Sequence, residues 1–184
     1  MNTRVPEAFA LATNIRDQLS NINGVEVVVC PPFISLNTVS EVLKYSSIQI
    51  GAQNTHNESY GAYTGEISPT MLKDFCKYVL IGHSERRKYF NETDLIINLK
   101  AKAAIDAGLI PIVCCGETLE ERESELTSSV LSKQIYDSLQ DLNPSSGLIV
   151  AYEPRWAIGS GVAANPRTAQ SAMSHIRMDL ENLW

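Results

Sequence analysis

Basic charge is what this sequence has little of. Its 15 Lys and Arg are outnumbered by 21 Asp and Glu, for a formal charge of −6. That balance excludes the basic footprint a nucleic-acid surface requires. It leaves room for a small anionic metabolite, because helix N-termini and single cations govern such binding locally. Cysteine is also scarce, at Cys30, Cys76, Cys114 and Cys115. None forms a C-x-x-C pair and two are adjacent in an apolar segment, so neither a disulfide framework nor a zinc site is indicated. Reduced, buried thiols are the expectation. No apolar run approaches the ~18 residues of a membrane span. Met1–Glu7 has no apolar stretch of the kind a signal peptide carries. A cytoplasmic protein with no membrane and no nucleic-acid partner is therefore expected.

What is present is the material of a packed domain. Over 184 residues, 44% are hydrophobic and 20% charged, enough to bury a core, and a single domain spanning 1–184 is expected. Five short apolar runs read as strands: Val25–Cys30, Ile48–Gln53, Tyr78–His83, Leu109–Cys115 and Leu148–Tyr152. They are continuous rather than alternating, as parallel strands covered on both faces should be. A first helix places Phe9, Ile15 and Leu19 roughly on one face, with Pro6 in its opening turn. Further helices are expected near Leu36–Lys44, Ser68–Phe75, Glu92–Ala107, Leu119–Leu139 and Pro166–Asn182. Ser68-Pro69 reads as an N-cap with an N1 proline, and Ala107-Gly108 as a helix end. A helix followed by five strand–helix units defines an α/β fold, either an open sheet or part of a barrel.

The acidic stretch Glu117–Glu123 matches no metal-ligand spacing and reads as a solvated helix face. His56 and His175 have no partner in the sequence and read as surface residues. Gly159-Ser160-Gly161 alone is a weak phosphate-loop signal, lacking the third glycine of a dinucleotide fingerprint.

Two strands end in residues a buried strand does not need. Tyr78–Gly82 runs into His83-Ser84-Glu85-Arg86-Arg87, and Leu148–Tyr152 into Glu153-Pro154-Arg155-Trp156. In a parallel βα sheet the carboxyl ends of strands share one face, and active sites are built there. A histidine and a glutamate at two such ends can face one substrate. The pattern alone leaves a second reading open, in which Glu153 pairs with Arg86, Arg87 or Arg155.

The surrounding residues add a resemblance. Ile81–Arg87 and Ala151–Gly161 are similar to the two signature segments of the triosephosphate isomerase family. Gly61–Pro69, Ala52-Gln53-Asn54 and Cys114-Cys115-Gly116-Glu117 resemble that family in the same order and spacing. The resemblance implies a (β/α)8 barrel, present here as five consecutive βα units preceded by a helix. It implies interconversion of dihydroxyacetone phosphate and glyceraldehyde 3-phosphate through an enediolate, with no cofactor and no metal ion. By the same resemblance Glu153 is the general base, His83 a neutral electrophile at a helix start, and Glu85 a neighbour that orients the site. Pro154–Ala164 resembles a mobile lid, with Pro154, Arg155, Trp156, Ala157, Ile158 and Gly161 in it, and Gly159 and Ser160 beside the substrate phosphate. Thr55–Glu66, with Thr64 near its tip, resembles a loop that enters a neighbouring subunit and implies a homodimer. Arg155 departs from the aliphatic residue usual in the lid hinge, and Ser160 from the common threonine.

The resemblance also implies that a strand ending Asn-Trp-Lys precedes Met1-Asn2, and that two more strands with a glycine-rich phosphate loop follow Trp184. The expectation drawn from this is that the 184 residues alone do not turn over substrate. A short non-catalytic product is the alternative reading.

Overall fold

The computed structural model describes residues 1–19, 21–143 and 147–184. The chain divides into two compact units, Met1–Leu80 with Ala103–Pro111, and Ile81–Lys102 with Ile112–Trp184.

The first unit opens with α1 (Val5–Leu19). Its buried face is Ala8 and Ala12, one turn apart, while Phe9 is exposed. That corrects the apolar face read from the sequence. Small alanines let the helix approach α2 (Leu36–Leu43) closely, and Arg16 donates to the Val42 carbonyl there at 3.2 Å. Helix α2 buries Leu36, Val39 and Leu43, the spacing of a single helical face. Strand β1 is only Val28–Val29, shorter than the apolar run suggested. Val25 is exposed and Glu26 turns outward to pair with Lys77 at 2.7 Å. Strand β2 (Gln49–Ala52) pairs in parallel with β1, Val28 opposite Gln49. It pairs in parallel with β3 (Tyr78–Ile81) on its other side, Gly51 opposite Tyr78.

Between β2 and β3, the segment 53–68 closes at its base. The His56 amide donates to the Ile67 carbonyl at 2.8 Å, and buried Thr55 donates its hydroxyl to the carbonyl of His56 at 3.1 Å. His56 lies against the Tyr63 ring, with centroids 4.4 Å apart, so this histidine has a partner the sequence did not reveal. Thr64 and Tyr60 are exposed. Ser68 caps α3 (Pro69–Leu72), accepting from the Met71 amide, as the Ser-Pro signal predicts.

In the second unit α4 (Ser84–Tyr89) follows β3 directly. Helix α5 (Asp94–Asp106) buries Ile97, Ala101 and Ala104, again one face. Strand β4 (Ile110–Cys115) pairs in parallel with β5 (Ile149–Tyr152) from Ile112–Ile149 to Cys115–Tyr152. The strand neighbours follow chain order, β1-β2-β3-β4-β5. Successive parallel neighbours joined by helices are the βα repeat expected from the sequence.

The single long helix expected over Leu119–Leu139 is two, α6 (Leu119–Glu123) and α7 (Thr127–Leu139). Glu125 between them has φ +58°, a left-handed residue no helix accommodates. Helix α7 buries Leu131, Ile135, Ser138 and Leu139, and burial of each large side chain contributes about 1.5–3 kcal/mol. Helix α8 (Pro166–Leu183) opens on Asn165, whose side chain accepts from the Thr168 amide at 2.8 Å.

All four cysteines are free thiols, three of them buried. Desolvation raises Cys30 to about 11 and Cys76 and Cys115 to about 12, which keeps them unreactive near neutral pH. Among the described residues no helix is long and apolar enough to cross a membrane.

Candidate active site

Three strands end within two residues of a polar side chain, each of these side chains in the second unit. Strand β3 leads to His83, β4 to Glu117 and β5 to Glu153.

Glycine turns the first of these corners. Gly82 has φ +73°, and a Cβ there would lie 2.8 Å from Ile97 Cδ1 and 3.3 Å from the Cys114 carbonyl. The turn sets His83 as the N-cap of α4, where its Nδ1 accepts from the Glu85 amide at 3.3 Å. An imidazole that accepts at Nδ1 carries its hydrogen on Nε2. That Nε2 lies 2.8 Å from Glu153 Oε1.

Glu153 is held by Ser84 as well. The Ser84 amide donates to Oε2 and its hydroxyl to Oε1, both at 2.9 Å. A carboxylate placed on the opening amide and hydroxyl of a helix is stabilised by both hydrogen bonds and helix dipole. Ser84 was not singled out from the sequence, although it sits at the helix start recognised there. Of the three arginines in the alternative reading, Arg86 and Arg87 are engaged elsewhere. Arg86 pairs with Glu92 at 2.6 Å and Arg87 with Asp94 at 2.5 Å. Arg87 also donates to the Gly82 and Cys114 carbonyls, at 2.9 and 3.2 Å, and so ties the ends of β3 and β4.

Glu85 is placed differently from its neighbours. Its amide holds His83, while its carboxylate is 63% exposed and 3.9 Å from the imidazole. The geometry therefore joins Glu85 to the site through its backbone.

Glu117 overturns part of the sequence reading. Glu120 and Glu123 are exposed, as a solvated helix face requires, but Glu117 is fully buried. It lies before Thr118, the N-cap whose capping box with Glu121 starts α6. The Glu117 carboxylate accepts from the Tyr152 hydroxyl at 3.0 and 3.1 Å and from Trp156 Nε1 at 2.9 Å. Arg122 donates to it at 3.3 Å and stacks over the Trp156 ring at 4.5 Å. Burial, with Glu117 beside it, pushes the Tyr152 phenol well above its ordinary value. The signal was available: Glu117 ends a buried strand just as His83 and Glu153 do.

The segment after Glu153 is consequently anchored at its stem. The Arg155 amide donates to the Glu117 carbonyl at 3.1 Å, and Arg155–Ala157 form one turn of 3-10 helix. Ile158, Gly159, Ser160 and Gly161 are exposed, with positive φ at both glycines. Ser160 donates its hydroxyl to the Ala157 carbonyl at 3.2 Å and accepts from the Val162 amide at 3.1 Å. Thus His83, Ser84 and Glu153 are brought together, and Pro154, Arg155, Trp156 and Ala157 form the stem beside them. Thr64 belongs to the first unit.

Fold and site define an α/β enzyme of the parallel βα type, with an imidazole and a carboxylate paired at strand ends. The triosephosphate isomerase family model matches residues 1–184. A triosephosphate isomerase from Dehalococcoides mccartyi is 52% identical over 184 residues, covering all of this chain and 73% of that protein. One from Carboxydothermus hydrogenoformans is 49% identical over 181 residues, 97% of this chain and 72% of its own length. A crystal structure of triosephosphate isomerase from Bartonella henselae superimposes with a TM-score of 0.88 at 36% identity, over 99% of this chain and 73% of that one. The chain belongs to the triosephosphate isomerase family. Its fold is that family's (β/α)8 barrel, of which it carries five strands, and its function is isomerisation of a triose phosphate. These comparisons favour the enzyme over the non-catalytic product.

Proposed function

We propose that Glu153 is the base that moves the proton between the two carbons of the triose phosphate, and that His83 is the acid partner at their oxygens. In this reading Glu153 leaves the Ser84 clasp and takes a proton from C1 of dihydroxyacetone phosphate. The C–H electron pair becomes the double bond of an enediolate, and the carbonyl pair moves onto oxygen. The His83 Nε2–H donates to that oxygen and stabilises the developing charge. The oxygen on C2 takes the Nε2 proton of His83, His83 recovers a proton from the hydroxyl on C1, and Glu153 returns its proton to C2 as the C1 carbonyl forms. A neutral imidazole is sufficient for this, because one N–H is all the oxygen requires.

The single observation that carries the proposal is the approach of His83 Nε2 to Glu153 Oε1 at 2.8 Å. Proton donor and proton acceptor meet there directly at the ends of two strands, and in this reading the substrate parts them and takes up both contacts. Pro154–Ala164 is the lid in this reading, hinged on the Glu117–Trp156 anchor. Gly159 and Ser160 meet the phosphate, and Ile158 and Gly161 close the tip. Excluding water strengthens the electrostatics inside and protects the enediolate from losing phosphate. Glu85 orients His83 through its amide. Segment Thr55–Glu66, with exposed Thr64, makes the contact of a homodimer, and the reaction takes place in the cytoplasm without cofactor or metal.

The test is isomerisation in deuterium oxide. A carboxylate base exchanges its proton with solvent before returning it, so glyceraldehyde 3-phosphate should carry deuterium at C2. Substrate and product both free of carbon-bound deuterium after repeated interconversion would show that the proton never reaches an exchangeable base and would sink the base assignment.

A further inference from the structure

Between α6, α7 and α8 lies an open cleft of about 390 Å³ that the reaction does not use. Its composition is unexpected. In a chain carrying six more acids than bases, nine residues line this cleft and none is a carboxylate. Two are arginines, Arg122 and Arg167, joined by His175 and by the hydroxyls of Thr127, Ser128 and Ser171 among others. Arg167 forms no ion pair among the described residues, whereas Arg86, Arg87 and Arg122 each do. His175 is not the isolated surface residue its sequence context suggests. Its Nε2 lies 2.9 Å from the Ser132 hydroxyl and 3.1 Å from the Ser128 carbonyl, and Asp179 stands 3.3 Å away, so the ring is fixed beside the cleft.

The Arg167 guanidinium and several hydroxyls face the cleft with no carboxylate among its lining residues, and the Arg122 guanidinium, shared with Glu117, stands beside them; this is the chemistry that recognises a phosphate group. The volume is in the range of small-metabolite sites. We propose that this cleft binds a phosphate monoester, at a site separate from the one holding His83 and Glu153. The consequence follows from Arg122. The same guanidinium donates to Glu117 and stacks on Trp156 in the stem of the 154–164 segment. An anion in the cleft competes with Glu117 for Arg122 and so loosens the anchor on Trp156. The inference concerns binding and does not depend on the roles given to His83 and Glu153.

The experiment is a titration of the nitrogen-15-labelled protein at constant ionic strength, with orthophosphate in one arm and glucose 6-phosphate in the other. The Thr127 and Ser171 amides report the cleft, the Trp156 indole N–H reports the anchor, and the Gly159 and Gly161 amides report the active-site lid. Saturable shifts at Thr127, Ser171 and the Trp156 indole with one shared Kd are expected. Arg167→Gln, at an exposed position in the first turn of α8, should raise that Kd about tenfold or more, as loss of a charged hydrogen bond does. Its unchanged spectral dispersion would show that it still folds. Tighter binding of the sugar phosphate assigns an ester, and equal binding of both assigns the free anion. The proposal is overturned if Thr127 and Ser171 show no saturable shift. It is equally overturned if their Kd is the same in Arg167→Gln, because the shifts would then be relayed from the lid.

Discussion

His83 is tied to the backbone at one nitrogen and faces Glu153 with the other, and that asymmetry decides what it can do. A backbone amide points at Nδ1, so the proton belongs on Nε2, where Glu153 and a substrate oxygen can meet it. Nitrogen-15 NMR of the imidazole near pH 7 should show a neutral ring protonated on Nε2. An imidazolium spectrum, or a ring protonated on Nδ1, would contradict the role given to it. At this scale the sequence was informative about His83 and Glu153, since each breaks an apolar strand with a polar residue. It was uninformative about Ser84 and misleading about Glu117. Ser84 acts through a backbone amide and a small hydroxyl, which leave no mark in composition. Glu117 stands next to acids that do face solvent, and only the cap at Thr118 separates the buried carboxylate from them.

Among the elements, the end of β4 shows how closely the site is packed. Gly116 has the buried Gln134 side chain bonded to both its amide, at 2.9 Å, and its carbonyl, at 3.2 Å. A Cβ at Gly116 would stand 1.8 Å from the Glu153 carbonyl oxygen. Backbone cannot yield as a flexible side chain can, so Gly116→Ala must push the strand carrying Glu153 away. The expected cost is about 1–3 kcal/mol or more, read as a lowered urea midpoint, together with lost turnover. An unchanged midpoint would mean that β4 and β5 are not held at this distance. Strand positions were legible because buried parallel strands are continuous apolar runs, and their ends were accurate to one or two residues except at β1. There the pattern failed because Val25 is apolar yet exposed. Helix α7 separated from α6 because Glu125 adopts a left-handed conformation that propensity does not foresee in glutamate.

For the whole molecule, the order of strands and helices carried the fold class, and the family comparison extends five βα units to a barrel. Assembly is the part that pattern reveals least, because a surface that meets a partner has the same composition as any other. The segment 53–68 is closed at its base by Thr55, His56 and Ile67 and presents exposed Tyr60 and Tyr63. The homodimer proposed for this segment would cover them. Sedimentation velocity should therefore give about twice the 20.3 kDa of the chain, and a monomer mass at all concentrations would remove the dimer from the account. The central claim is that Glu153 moves the proton, and turnover of triose phosphate by Glu153→Gln beside the parent protein tests it most directly. Glutamine keeps the shape and can still accept from Ser84, but it cannot take a proton. A loss of about 10²-fold or more is predicted, with the fold retained by circular dichroism, and turnover close to that of the parent would contradict the account.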